Sequence, residues 1–301
     1  MRKESKHTIE TNIQTVAYYH GSHFNQLSFY NSDRKFKVNV DRGQLVVSPD
    51  NTASALKIKK EGTVCGGYGL EIENSCEVLM DNANCRLEGY TVYKNLLDMI
   101  FANCKFDSDF FRIEQDSTTG VRNVCLGAEA VTQCASSSAI RNMYPCFKAL
   151  FDDYFKRFMI TTDNGRCGMH VNISSCLFGN PENIRKFGYF VNHHFDLCKV
   201  LFNRKNTEWC GNMGDNLNTW KTRTFSSFPT HSGACVNFEH LDNDGIGRVE
   251  VRLVGGHGKF ATFRNTMETI FFMVDRVKSA SWDVLESPAL FFKGCNLFFH
   301  I

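Results

Sequence analysis

Three short stretches of this chain place ionisable side chains at alternate positions. They are Gly69-Leu70-Glu71-Ile72-Glu73, Gly168-Met169-His170-Val171-Asn172-Ile173-Ser174 and Arg248-Val249-Glu250-Val251-Arg252-Leu253. In a strand, alternate side chains share a face. Leu70, Ile72, Met169, Val171, Ile173, Val249, Val251 and Leu253 therefore point one way, into a core. Glu71, Glu73, His170, Asn172, Ser174, Arg248, Glu250 and Arg252 point the other. A fourth region has Ile113-Glu114-Gln115-Asp116-Ser117 followed by Gly127-Ala128-Glu129-Ala130-Val131-Thr132. It reads as a strand pair offering Glu114, Asp116 and Glu129.

A solvated sheet face gives such alternation routinely. Here the polar faces instead carry Glu-x-Glu, His-x-Asn and Arg-x-Glu-x-Arg. Two carboxylates about 4 Å apart repel by roughly 4 kcal/mol at an effective dielectric near 20. If Glu71, Glu73, Glu129 and Glu250 line one cleft, a cation must offset that repulsion. Oxygen donors with one imidazole favour Mg²⁺ or Mn²⁺ over zinc. Mg²⁺ is commonly shared between carboxylates and substrate phosphates. Arg248 and Arg252 suit phosphate oxygens, because a guanidinium binds them bidentately. The inventory is that of a nucleotide–metal site for phosphoryl transfer.

Taken in order, G-x-G-L-E-I-E, E-x-D-S, G-x-E-x-V-T, G-x-H-V-N and R-x-E-x-R span about residues 66–278. Together they resemble the amidoligase family, carboxylate–amine ligases related to glutamate–cysteine ligase and glutamine synthetase. The segment from Asn203 to Cys210 also resembles a stretch that follows the His motif there. The resemblance implies an α+β fold, a curved and mostly antiparallel sheet packed with helices, with the site on the concave face. It implies ATP-dependent formation of an amide (peptide or isopeptide) bond through an acyl phosphate. By carry-over, Glu71, Glu73, Glu129 and Glu250 are metal ligands. His170 binds metal or ATP phosphate with help from Asn172, Arg252 and Arg248 stabilise the transferring phosphoryl group, and Arg204 joins the nucleotide contacts.

The implied cofactors are ATP and Mg²⁺ or Mn²⁺. The implied substrates are an amino-acid, peptide or protein carboxylate and an amine. A phage or plasmid origin fits a stand-alone amidoligase of this length. Two places depart from the pattern. Gln133-Cys134 stand where relatives often carry proline, and Val254-Gly255-Gly256-His257-Gly258 stand where relatives often have a Gly-Thr turn. Both adjoin the acceptor pocket in that family, so substrate identity stays open. Two other readings share these residues: a non-catalytic binding or inhibitor protein on the same fold, and a metal-dependent hydrolase with water as nucleophile.

Periodicity supplies the elements that must position these groups. Residues 1–62 read as a β-rich N-terminal region. Its expected strands are Thr15–Tyr19, Gln26–Tyr30, Phe36–Val40, Gln44–Val47 and Ala55–Ile58, separated by turn clusters. Residues 63–301 read as the amidoligase-like catalytic domain. Helices are expected over Tyr90–Ala102, Phe147–Phe158 and Phe260–Lys278, and from Pro181, capped by Asn180, to about Phe202. His193-His194 lies in mid-helix and reads as structural. Gly255-Gly256-His257-Gly258-Lys259 lacks the spacing of a P-loop but leads into a helix, where it could touch phosphate. Asp242-Asn243-Asp244-Gly245 lacks the closing glutamate of a calcium loop and reads as a turn.

Composition bounds the rest. Among 301 residues, 34 Lys and Arg stand against 32 Asp and Glu, a net charge of +2 without the basic excess of a nucleic-acid binder. Hydrophobic residues at 43% and charged residues at 22% describe a folded globular chain. No apolar run approaches the roughly 18 residues of a membrane span. The N-terminal MRKESKHTIETN has no apolar segment behind it, so no signal peptide is expected. The 13 cysteines include no CxxC, which argues for reduced, buried thiols and a cytoplasmic protein. The 27 phenylalanines point to an aromatic core. The apolar C-terminal runs from Ala289 to Phe299 belong to that core or to an interface of a homo-oligomer.

Overall fold

The stretches with period two fold as strands, as their alternation demands. The computed structural model describes residues 26–30, 35–41, 44–49, 56–58, 67–77, 85–106, 110–115, 119, 125–132, 134–162, 166–205, 207–208, 210–214, 216–228 and 233–295. Its strands are β1 (Gln26–Tyr30), β2 (Lys35–Asp41), β3 (Gln44–Pro49), β4 (Leu56–Ile58), β5 (Tyr68–Glu77) and β6 (Phe111–Gln115). They continue with β7 (Cys125–Thr132), β8 (Cys134–Ala135), β9 (Ile160–Thr161), β10 (Gly168–Ser174), β11 (Val236–Asn237) and β12 (Arg248–Gly255). Neighbours run β11-β12-β10-β5-β8-β1-β2-β3-β4; β5 also pairs β7 and β9, and β6 lies beyond β7. Among the described strands only β1 with β8 is parallel. The chain is thus α+β around a mostly antiparallel sheet. Four of the five strands expected before residue 60 are present. The fifth, Thr15–Tyr19, lies outside the described residues.

The apolar face of the central strands meets the helices. Leu70, Ile72, Met169, Val171, Ile173, Val249 and Val251 are at most 1% exposed. They share one core with Leu97 and Ile100 of the helix Cys85–Asn103, Ile184, Phe187 and Val191 of Pro181–His193, and Phe263, Met267, Ile270, Phe271 and Val274 of Phe260–Arg276. Each such side chain stabilises the fold by about 1.5–3 kcal/mol when fully buried. Phenylalanine dominates this core, as its frequency predicts: Phe101, Phe106, Phe110, Phe111 and Phe147 form a continuous set of edge and stacked contacts.

Three helices differ from expectation: the one expected over Tyr90–Ala102 already begins at Cys85, and two others are broken. Asn180 does cap the helix at Pro181, accepting from Asn183 N at 2.9 Å. That helix does not run through to Phe202. It stops at His193; His194 takes φ −101° and ψ 41°, and a second helix spans Phe195–Leu201. The break is pinned from the side, because His194 Nε2 donates to the Leu285 carbonyl at 2.7 Å. His193 stacks on Tyr189, so both histidines are structural.

The stripe from Phe147 to Phe158 forms helix Tyr144–Lys148, a π-helical segment Ala149–Tyr154 and helix Phe155–Arg157. Its apolar residues repeat every four positions. On a helix of 3.6 residues per turn such a stripe drifts by about 40° per repeat. A wider π turn brings it back onto the core. The same turn aims Asp152 at the next helix, where its Oδ1 accepts from Phe260 N at 2.9 Å. An internal carboxylate thus caps the first N–H of that helix. Asp242 forms the expected turn, its Oδ1 accepting from Asp244 N at 3.0 Å and Ile246 N at 2.8 Å.

Cysteines 104, 134, 167, 198, 210 and 235 are buried. Among the described residues no helix is long and apolar enough to cross a membrane.

Candidate active site

Strand register decides which polar side chains meet. Directly opposed residues of an antiparallel pair share a face. Four rows result across the sheet. Arg248 lies opposite Ser174. Asn237 lies opposite Glu250, and Glu250 opposite Asn172. His170 lies opposite Glu71, Glu71 opposite Val131, and Val131 opposite Arg112. Glu73 lies opposite Glu129, and Glu129 opposite Glu114. The register of β10 with β12 shifts between Met169 and Val171. At that bulge Arg252 N and Leu253 N both donate to the Cys235 carbonyl, at 3.0 and 3.2 Å. A bulge re-aims its side chains, and Arg252 Nη1 reaches back to Glu250 Oε1 at 2.7 Å.

His170 stands at the centre. Its Nδ1 lies 2.9 Å from Glu71 Oε2 and 3.3 Å from Glu250 Oε1, and its Nε2 lies 3.6 Å from Glu73 Oε1. Asn172 Nδ2 donates to Glu71 Oε1 at 2.8 Å. Gly168 N donates to Glu73 Oε2 at 2.5 Å, and Asn237 Nδ2 to Glu250 Oε2 at 2.9 Å. Glu71, Glu73, His170 and Glu250 are 4–9% exposed, and Asn172 is 1% exposed. Burial disfavours a charged His170, but the Glu71 hydrogen bond and the Glu73 and Glu71 charges outweigh it and raise the imidazole pKa. Burial of that depth around three carboxylates is stable only with positive charge among them.

Glu71, Glu129 and His170 each offer an atom within 4.8 Å of the others. At that separation two carboxylates repel by about 3.5 kcal/mol at a dielectric near 20. Two carboxylates and an imidazole form a donor set that fits a hard divalent cation. Asn172 Oδ1 is buried without a hydrogen-bond partner, so a further acceptor faces the same region.

A cleft of about 240 Å³ opens over this face, lined by Glu71, Glu114, Glu129, Asn237, Glu239, His240, Arg248, Glu250 and Arg252. It brings together Glu71, Glu129, Glu250, Arg248 and Arg252. Glu73, His170 and Asn172 sit beside it through the bonds just described. Arg204 stands apart from the cleft lining: it is buried at the far end of β10, with Nη1 donating to the Val254 carbonyl at 3.0 Å. Asp116 lies outside the described residues.

Sequence reasoning missed Asn237, Glu239, His240 and Arg112. The signal was present in Val236-Asn237-Phe238-Glu239, where Val236 and Phe238 are at most 1% exposed. Burial, with Arg248 nearby, lowers the His240 pKa. Arg112 pairs with Glu114. Burial lowers its pKa, against the pull of Glu129 and Glu71.

No family model and no curated protein matches this chain. Among solved structures it is similar to a chain in the complex between the prokaryotic ubiquitin-like protein Pup and its ligase PafA. The TM-score is 0.32 at 13% identity, over 72% of this chain and 46% of that one. This chain thus spans less than half the length of that neighbour.

Proposed function

We propose that this chain is an ATP- and Mg²⁺-dependent ligase that joins a carboxylate to an amine, with Mn²⁺ as the alternative ion. The observation that carries the reading is the convergence of Glu71, Glu129 and Glu250 with Arg248 and Arg252 in one cleft, with His170, from a fourth strand, against Glu71 and Glu250 beside it. On this reading Glu71, Glu129 and His170 hold the ion, with Glu73 and Glu250 alongside. The bound ion would neutralise triphosphate charge. Arg248 and Arg252 clamp phosphate oxygens, and Asn172 orients Glu71 through its amide.

A carboxylate is a poor electrophile. Its oxygen would attack the terminal phosphorus of ATP, and ADP would leave. The amine nitrogen would then attack the acyl carbon, inorganic phosphate would leave, and the nitrogen would lose its proton. The substrates are amino-acid, peptide or protein carboxylates and amines. The reading includes the curved glutamine synthetase-like sheet. It places the activity in residues 63–301, treats residues 1–62 as a separate β-rich region, and locates the protein in the cytoplasm.

The test incubates purified protein with ATP, Mg²⁺ and a panel of amino acids and peptides, and follows ADP release. Release that depends on both Mg²⁺ and an acceptor, and that Glu71→Gln removes, is expected. Absence of any Mg²⁺-dependent ATP affinity would sink the reading. Turnover without ATP would point to the hydrolase instead.

A further inference from the structure

Glu239 and His240 line the cleft but have no part in the reading above. Other side chains of the wall are held by neighbours: Asn237 and Arg252 by Glu250, Glu71 by His170 and Asn172, and Glu114 by Arg112. Among the described residues, neither ring nitrogen of His240 has a hydrogen-bond or ion-pair partner. Its backbone, by contrast, is fixed. Leu241, which is buried, pairs with Gly247 as an antiparallel bridge. Arg248 N donates to the His240 carbonyl at 3.3 Å, and Leu241 N to the Phe238 carbonyl at 2.9 Å. Gly247 takes φ 138°, and a Cβ there would overlap the His240 carbonyl oxygen, so this close turn needs glycine. The turn thereby holds His240 beside Arg248. His240 is exposed at the mouth of the cleft. Its ring feels Arg248 and Glu250 of β12, Glu239 of its own segment, and Glu71 of β5, two strands beyond β12. The imidazole therefore overhangs the site. Its partial burial, with Arg248 nearby, outweighs the three carboxylates and holds its pKa below the ordinary histidine value. The ring is thus neutral at neutral pH, open to water and free to accept a proton.

We propose that His240 is the catalytic base of the amine step, and that the amine substrate is one that arrives as an ammonium ion. This rests on the ligase reading above. An ammonium nitrogen has no lone pair with which to attack. One proton passes from it to a ring nitrogen of His240. The freed lone pair then forms the C–N bond, and the C–O bond to phosphate breaks with its electrons leaving on phosphate. The nitrogen's surplus proton goes to the departing phosphate, and His240 releases its own to water. The carboxylate of Glu239, next in the chain and likewise exposed, attracts a cationic substrate to this rim. Arg248 and Arg252 hold the phosphate oxygens lower in the same cleft. The class of substrate is therefore the side-chain or terminal ammonium group of an amino acid, peptide or protein.

The test compares wild type with His240→Ala, using the full chain, Mg²⁺, ATP, and L-glutamate or a glutamate-bearing peptide as the carboxylate donor. The acceptor is either L-lysine or hydroxylamine. Hydroxylamine is largely unprotonated at neutral pH and needs no base to free its lone pair. With lysine, His240→Ala should form amide about a hundred- to ten-thousandfold more slowly, the usual worth of a general base. With hydroxylamine, its hydroxamate yield should stay near the wild-type value. ATP affinity in Mg²⁺, measured by calorimetry, and thermal unfolding should also match wild type, because the residue is exposed and its side chain is unbonded. Equal losses with both acceptors, or lysine transfer that survives the substitution, overturn the proposal. A loss of ATP affinity in His240→Ala overturns it too, by assigning the residue to nucleotide binding. If wild type itself makes neither product, the ligase reading has failed, and the amine step fails with it.

Discussion

Replacing Glu129 with glutamine should make the metal-free protein more stable while weakening its response to divalent cations. Glu129 is the middle of three carboxylates in one row, opposite Glu73 on one side and Glu114 on the other. Opposed side chains on neighbouring strands have Cβ atoms about 5 Å apart. At that distance and a dielectric near 20, each like-charge pair costs about 3 kcal/mol. Arg112 offsets part of this, since it pairs with Glu114 and feels the charge of Glu129. Solvent at the half-buried Glu129 screens more. A net gain of about 1–3 kcal/mol is expected for Glu129→Gln, which keeps the shape and removes the charge.

The assay is urea unfolding with chelator and with saturating Mn²⁺. Wild type should gain about 2.7 kcal/mol at a hundredfold excess over the dissociation constant. The variant should gain far less, having lost one of three clustered donors. If Glu129→Gln weakens the chelated protein, the repulsion argument is wrong. If Mn²⁺ stabilises both proteins equally, Glu129 is no ligand.

Three further outcomes are expected. A divalent cation must displace the proton that Glu71 and Glu73 hold on His170 against the opposing effect of burial. Mn²⁺ affinity measured by calorimetry should therefore rise by up to about tenfold per pH unit and level off above the raised pKa; a flat profile would exclude His170 as a ligand. The same raised pKa stabilises the metal-free fold below the ordinary 6.5, and that contribution is lost as pH climbs through the folded value.

His257 behaves in the opposite sense. Burial against Phe151 and Phe263 pushes its pKa down to about 3. The folded ring stays neutral while the unfolded chain takes a proton below about 6.5, so stability falls with acid by up to about 1.4 kcal/mol per pH unit. Urea midpoints across that window should lose this slope in His257→Phe, and an unchanged slope would assign the acid sensitivity elsewhere. Asp152→Ala should cost about 1 kcal/mol by uncapping the helix Phe260–Arg276, with Asp152→Asn recovering most of it in thermal unfolding.

The sequence showed which side chains face together but not which ones meet. Alternation in Gly168–Ser174 and Arg248–Leu253 depends on each strand alone, so the polar and apolar sets could be read directly. That His170 lands opposite Glu71, or Asn172 opposite Glu250, depends on long-range register, which local pattern does not contain. The bulge beside Arg252 needed the Cys235 carbonyl, far away in the chain. Val236–Asn237 escaped notice because its alternation, carried on through Phe238 and Glu239, is only four residues long. The π segment at Ala149–Tyr154 was visible only as a stripe spaced at fours, which resembles an ordinary amphipathic helix until its drift is counted.

The strands of the site are one peptide thick. His170 is flanked in sequence by Met169 and Val171, and Glu71 by Leu70 and Ile72, all of them core residues. Front and back of the same backbone thus serve two masters, chemistry on one side and packing on the other. A methyl trimmed from Val171 or Ile72 would be felt by the ligands in front of it without any change to their identity. Room for divergence in what the protein accepts lies instead at the margin, in Glu114 and Glu239, which line the cleft without being wedged between core residues on both sides.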